Sequence, residues 1–232
     1  MNIGGLLKNS TIDYPGKLSC GIFLSGCNFD CPYCHNPHLV RGWPGRTPEF
    51  DPGDIYRFIE NRKGFLDGVV ISGGEPTLQE DLFDLCRRIK QMGYPVKLDT
   101  NGSRPRIIKQ LIDEGLVDYI AMDLKTDPTN YATYIQRNCD MTPILASIQV
   151  IMESAIAYEF RTTCVKPIVT AGIIENVGRL IQGAAVYALQ RFHKSEMLYP
   201  EFFRETNYEY TDDELFALKA VAEPWVQQCI LR

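Results

Sequence analysis

Short apolar runs alternate along the chain with stretches in which apolar residues recur every three or four positions. "KLSCGIFLSG" (17–26) is rich in β-branched and aromatic residues and stops at Gly26, which predicts a strand. "DGVVISGG" (67–74) is a brief apolar run between glycines, as in a strand buried on both faces. "YPVKLDTNG" (94–102), "VDYIAMDLK" (117–125), "YEFRTTCV" (158–165) and "GAAVYALQRF" (183–192) share that build. Helix signals lie between them. Asp54 is the expected cap of "IYRFIENRK", Gly93 ends "EDLFDLCRRIKQMG", Gly115 ends "RIIKQLIDEG", and Thr142 is the expected cap before "PILASIQVIMES".

Strand and helix alternate six times, the pattern of a parallel sheet covered by helices. Six units fall short of the eight that close a barrel. The expected fold is therefore α/β, a partial (β/α)6 TIM-like barrel with its chemistry at the C-terminal ends of the strands. From about residue 193 the rhythm changes. "TDDELFALKAVAE" (211–223) predicts an acidic-capped helix, and "WVQQCILR" either an edge strand or a packed segment. Residues 1–192 read as the barrel domain, and 193–232 as a C-terminal helical tail packed on it.

Composition changes little in this picture. The 232 residues are 45% hydrophobic, 23% charged and 11% aromatic, which suits a globular chain needing no disulfide staple. A net charge of −5 argues against a sequence-independent grip on nucleic acid, so no nucleic-acid partner is expected. The opening "MNIGGLLKNSTIDYPGK" has no basic stretch leading into a long apolar core, and no run approaches the ~18 apolar residues of a membrane span. A cytoplasmic location without a membrane partner is expected. In that reducing setting, clustered thiols among the eight cysteines mean metal or catalysis. Cys20, Cys86, Cys139, Cys164 and Cys229 are scattered and read as small buried hydrophobes.

The cluster is "SGCNFDCPYCHNP" (25–37), with Cys27, Cys31 and Cys34 crowded into one loop. Spacing leaves two readings open. Structural zinc would take the three cysteines with His35 or His38. An iron–sulfur cluster would take three thiolates and keep one iron open for chemistry. The other distinctive polar stretches also sit at strand ends: "SGGEP" (72–76), "DTNG" (99–102), "DLK" (123–125), and "LQRFH" (189–193), with "RTT" (161–163) inside the fifth predicted strand. One partial barrel would carry them all to one mouth.

The CxxxCxxC spacing, with aromatic Tyr33 before its last cysteine, resembles the signature of the radical S-adenosylmethionine enzymes. "YCHNP" resembles the group that activates glycyl radical enzymes, and "TIDYPGK" (11–17) the activases of anaerobic ribonucleoside-triphosphate reductase. The likeness runs from about residue 8 to 193 and favours the cluster over zinc. It implies a barrel of the radical SAM type holding one 4Fe-4S cluster on Cys27, Cys31 and Cys34. It implies S-adenosylmethionine on the open iron, cleaved reductively to methionine and a 5'-deoxyadenosyl radical.

The same resemblance assigns further roles. Gly73, Gly74, Glu75 and Pro76 would bind the methionine amino group, with Glu75 offering its carboxylate. Asp99 and Asp123, beside Thr100 and Asn101, would flank a monovalent cation, since two carboxylates at one mouth otherwise repel. Lys125 would pair with the methionine carboxylate. Arg161 would reach that carboxylate or the partner's peptide, or pair internally. His193 would lie near the cofactor, and Phe29 and Tyr33 would shield the cluster or touch the adenine. Residues 35–72 contain no cysteine, so a single cluster is expected, fed by an external flavodoxin or ferredoxin. The implied activity is hydrogen abstraction from a glycine of a partner glycyl radical enzyme, anaerobic ribonucleoside-triphosphate reductase first. A radical enzyme acting on a small molecule and a zinc-stabilised binding module are the alternatives.

Overall fold

The structure, a computed structural model, describes residues 1–41, 50–193, 196–204 and 207–232. Among these, one sheet takes its strands in chain order: β1 (Ile3–Ser10), β2 (Ser19–Leu24), β3 (Gly68–Gly73), β4 (Val96–Thr100), β5 (Tyr119–Asp123), β6 (Ala157–Cys164), β7 (Val186–Arg191) and β8 (Gln228–Leu231). β1 runs antiparallel to β2, and every later neighbouring pair is parallel. The helices are α1 (Pro37–Arg41), α2 (Pro52–Glu60), α3 (Leu82–Gln91), α4 (Pro105–Asp113), α5 (Tyr131–Tyr134), α6 (Thr142–Met152), α7 (Ala171–Leu180) and α8 (Asp212–Ala222). β2 to β7 are the six strands expected from the apolar runs, and β1 and β8 are the free edges of an incomplete barrel.

Two local features depart from expectation. α2 starts ahead of Asp54, because the Asp51 carboxylate accepts from Gly53 N and Pro52 at the first helical position has no N–H to satisfy. Thr142 is the first residue of α6 rather than its cap, and the Asp140 carboxylate accepts from its N–H at 2.9 Å. Of the two alternatives for "WVQQCILR", the edge strand is the one that forms. Beyond α8 the chain adds β8 beside β7, pairing Leu189 with Leu231, and this satisfies backbone groups that an edge strand would leave open.

β1 escapes the apolar pattern because "IGGLLKNS" is interrupted by glycines and ends polar. Gly4 is required there, since a Cβ would lie 2.4 Å from Ser25 Oγ and 2.3 Å from Leu39 Cδ2. "TIDYPGK" proves to be a plug at the barrel's lower end. Tyr14 is buried, its ring 5.8 Å from that of Tyr119 at the start of β5, and it packs over Gly68 at the start of β3, where a Cβ would meet it at 3.0 Å. All eight cysteines are free thiols, and Cys20, Cys86, Cys164 and Cys229 are buried as expected. No helix among the described residues is long and apolar enough to cross a membrane.

Candidate active site

The cysteine loop leaves β2 at the C-terminal end of the barrel and is held from several sides. Asp30 N donates to Ile135 O at 3.0 Å, Cys34 N to Cys31 O at 3.0 Å, and Gly26 N to Leu39 O at 2.7 Å. Phe29 N points at Cys27 Sγ, 3.4 Å away, and Asn101 Nδ2 lies 4.0 Å from the same sulfur. Burial pushes the Cys27 thiol up to about 11 and the Cys31 thiol up to about 12. Among the described residues no three His, Cys, Asp or Glu side chains close on a point suited to one metal ion. The three thiols instead border a cavity of about 220 Å³.

The glycines after β3 serve this loop directly. Gly73 has φ +123°, and a Cβ on it would lie 2.2 Å from Leu24 O. A Cβ on Gly74 would lie 2.1 Å from Gly26 O. Their absence lets Gly74 N donate to Leu24 O and Glu75 N to Gly26 O, each at 2.8 Å. Both glycines line the cavity.

Glu75 follows these glycines into the interior. Its carboxylate is fully buried and lies off the cavity wall. Oε1 accepts from Thr77 N at 3.1 Å and Thr100 Oγ1 at 2.8 Å, and Oε2 accepts from Asn101 N at 2.6 Å. Burial raises its pKa against the pull of these hydrogen bonds. Glu75 therefore ties β3 to the end of β4. Pro76 starts the short 3-10 turn that Glu75 caps and also lies off the cavity.

Asp99 and Asp123 do reach the cavity, but protein cations already flank them. Lys97 Nζ pairs with Asp99 Oδ1. Arg161 sits between the two carboxylates, NH1 3.3 Å from Asp99 Oδ2 and Nε 2.7 Å from Asp123 Oδ1. Lys125 Nζ lies 2.8 Å from Asp123 Oδ2. Arg161 thus pairs internally, between the two carboxylates expected to flank a monovalent cation. Burial is the largest influence and would raise both carboxyl pKa values, but Arg161 together with Lys97 at Asp99, and together with Lys125 at Asp123, outweighs it and holds both below the ordinary range. Burial works against the Lys125 ammonium, and Asp123, with Tyr33 and Cys31, more than reverses this.

Of the other expected residues, Thr100, Asn101 and Lys125 line the cavity. His193 does not. It is exposed beside His35, which does line the cavity and stacks on Phe192 at 4.8 Å. Phe29 and Tyr33 are buried on the cavity wall, and among the described residues the Tyr33 hydroxyl finds no hydrogen-bond partner. Ser72 and Thr163, in stretches expected at the mouth but given no role of their own, also lie on the wall, and Lys97 beneath Asp99 was not expected there. Lys97 carried a signal: a lysine in an apolar strand, two residues before Asp99, faces the same side as that aspartate.

The family model of the radical SAM superfamily matches residues 22–172. A Methanocaldococcus jannaschii protein provisionally named a glycyl-radical enzyme activating enzyme is 35% identical over 99% of this chain and 95% of its own length. The pyruvate formate-lyase-activating enzyme of Streptococcus mutans is 32% identical over 51% of this chain and 50% of its own. Among solved structures, Streptococcus suis SuiB bound to its precursor peptide SuiA superposes with a TM-score of 0.67 at 13% identity, over 90% of this chain. The chain spans about half of SuiB, 47%, so this likeness bears on the fold. The chain belongs to the radical SAM superfamily and, within it, to the glycyl-radical enzyme activating enzymes.

Membership makes the protein an enzyme that uses a 4Fe-4S cluster and S-adenosylmethionine. It displaces the zinc reading and, with it, the binding module. The cavity fits these groups. Three soft thiols border one part of it, and N–H groups of Phe29 and Asn101 are aimed at Cys27 sulfur. The Gly73–Gly74 backbone, the Lys125 ammonium and the unpartnered Tyr33 hydroxyl complete a wall suited to a zwitterionic, hydroxyl-bearing ligand.

Proposed function

We propose that this protein creates a glycyl radical on a partner enzyme, that the partner is anaerobic ribonucleoside-triphosphate reductase, and that it does so in the cytoplasm with electrons from a flavodoxin or ferredoxin. One observation carries the reading: three thiols, a glycine backbone and a lysine share one cavity at the C-terminal mouth of an open barrel. The end-to-end likeness to the archaeal relative supports the class of reaction, and "TIDYPGK" supports the choice of reductase. When bound, the cluster and S-adenosylmethionine together supply a 5'-deoxyadenosyl radical able to take hydrogen from a glycine.

The chain's own residues bind and orient. Cys27, Cys31 and Cys34 would hold the cluster through their thiolates. The Gly73–Gly74 backbone would take the methionine ammonium and Lys125 its carboxylate, and Tyr33 and Asn101 would meet the nucleoside. Phe29, packed edge-on against Tyr131 at 6.1 Å, keeps water from the cluster. Glycine suits the mouth because no side chain obstructs its approach and its radical is delocalised over the flanking amides.

The test mixes the enzyme anaerobically with the reductase, a reductant and S-adenosylmethionine. The expected result is 5'-deoxyadenosine together with an electron paramagnetic resonance doublet on the reductase, collapsing when glycine carries deuterium at Cα. Formation of 5'-deoxyadenosine without any doublet, while a small molecule is consumed in proportion, would overturn the reading in favour of a small-molecule radical enzyme.

A further inference from the structure

Five charged side chains form a row across the barrel: Lys97, Asp99, Arg161, Asp123 and Lys125, alternating in sign. Each of the four carboxylate oxygens faces its own cationic nitrogen. Lys97 and Arg161 share Asp99, and Arg161 and Lys125 share Asp123. Three cations against two anions leave the row at +1. The row runs from Lys97, which is 1% exposed beneath Asp99, to Lys125 on the cavity wall.

Neither buried carboxylate nearby pairs with a member of the row. Glu159 is paired bidentately with Arg232 at 2.7 and 2.6 Å, and Glu75 accepts from Thr77, Thr100 and Asn101. Tyr119 contributes a hydroxyl to Glu159 at 3.1 Å and a ring face 6.0 Å from Lys97 Nζ. A buried lysine cannot be left unpaired without a large desolvation penalty. A mobile cation that displaced Lys97 from Asp99 would incur that penalty, and one that joined the row would meet net positive charge.

We infer that Lys97 and Arg161 serve as resident counter-cations, so that S-adenosylmethionine binds this enzyme without potassium or sodium. Lys97 acts as a positioning residue. It neutralises one oxygen of Asp99, and Arg161 is then free to span both carboxylates and hold Asp123 against Lys125. The row's unbalanced positive charge is matched by the cofactor's carboxylate. The inference rests on the cofactor reading of the cavity.

The test uses the full chain loaded with its cluster and measures S-adenosylmethionine affinity in tetramethylammonium, sodium and potassium chloride. Ionic strength is held constant, because general screening would otherwise imitate a site effect. In the native chain the three affinities should agree within about twofold, a small free-energy difference. In Lys97→Met, binding should weaken in tetramethylammonium and be restored by sodium or potassium by about 5- to 150-fold, the usual span of coupling between two ligands. Native affinity that itself rises fivefold or more with either metal ion, on that same coupling scale, overturns the inference. Absence of binding in every salt overturns the cofactor reading and this inference with it. Should Lys97→Met fail to load iron, the native comparison alone decides.

Discussion

The backbone N–H of Tyr199 donates to the carbonyl oxygen of Pro32 at 3.1 Å, joining the chain beyond β7 to the cysteine loop. Aromatic rings reinforce this link. Phe203 is buried and packs on Phe192 at 6.4 Å and Tyr208 at 5.2 Å. Phe192 in turn meets Tyr33 at 6.4 Å and His35 at 4.8 Å. The tail thus packs behind the cysteine loop.

Phe203→Ala should therefore act on both stability and the cluster. Truncating a buried phenylalanine costs about 3–5 kcal/mol. Denaturant unfolding should show that loss, and the visible absorbance of the cluster should bleach faster in air than in the native chain. Unchanged bleaching would mean that the tail does not shield the loop.

Single Cys27→Ser, Cys31→Ser and Cys34→Ser chains should lose iron, because an alkoxide is a poor substitute for a soft thiolate. Cys139→Ser, whose thiol lies outside the cavity, should retain it. Iron per chain and brown colour after anaerobic reconstitution decide the assignment.

Glu75 separates a structural carboxylate from a ligand. Glu75→Ala leaves the buried Asn101 N–H and the Thr77 and Thr100 hydroxyls without their acceptor, which should cost about 1–3 kcal/mol for each group left unpaired. Stability and S-adenosylmethionine affinity should fall together, and Glu75→Gln should recover part of both. A Glu75→Ala chain of native stability that has lost only affinity would restore the direct-ligand role.

Asp127 carries a pH dependence whose direction is set by its partners. Burial would raise its pKa, but Asn176 Nδ2 and Asn130 Nδ2, each at 2.7 Å, and Thr129 Oγ1 at 3.0 Å hold it below the ordinary 3.8. A lowered folded-state pKa contributes stability above the unfolded value, and that stability is lost as pH falls through the folded value. The stability gap between the native chain and Asp127→Ala should be widest near neutral pH and shrink below about pH 3.8. Urea unfolding across that range measures it.

Six strands, most helices and the three clustered cysteines were legible in the sequence, because apolar period and ligand spacing are properties of neighbouring residues. β1 was not, since its Gly4 answers to Ser25 and Leu39, which only the folded chain brings near. α7 also lacked an evident signal. Its Thr170 side-chain cap accepts from Ile173 N at 3.3 Å, but "AGIIENVGRL" mixes glycines with its apolar residues.

The sequence by itself determined which chemistry the chain carries: three thiols in one loop, and polar residues at the end of each strand. Tertiary structure decided how those polar residues divide their work. Asp123 meets Arg161 because β5 and β6 pair in that register, and Asp99 meets Lys97 because alternate residues of β4 face one side. Glu75 turns inward because Thr100 and Asn101 arrive above it from another strand. Charges choose partners by distance through space, and distances between strands 20 or 40 residues apart exist only after the barrel has formed.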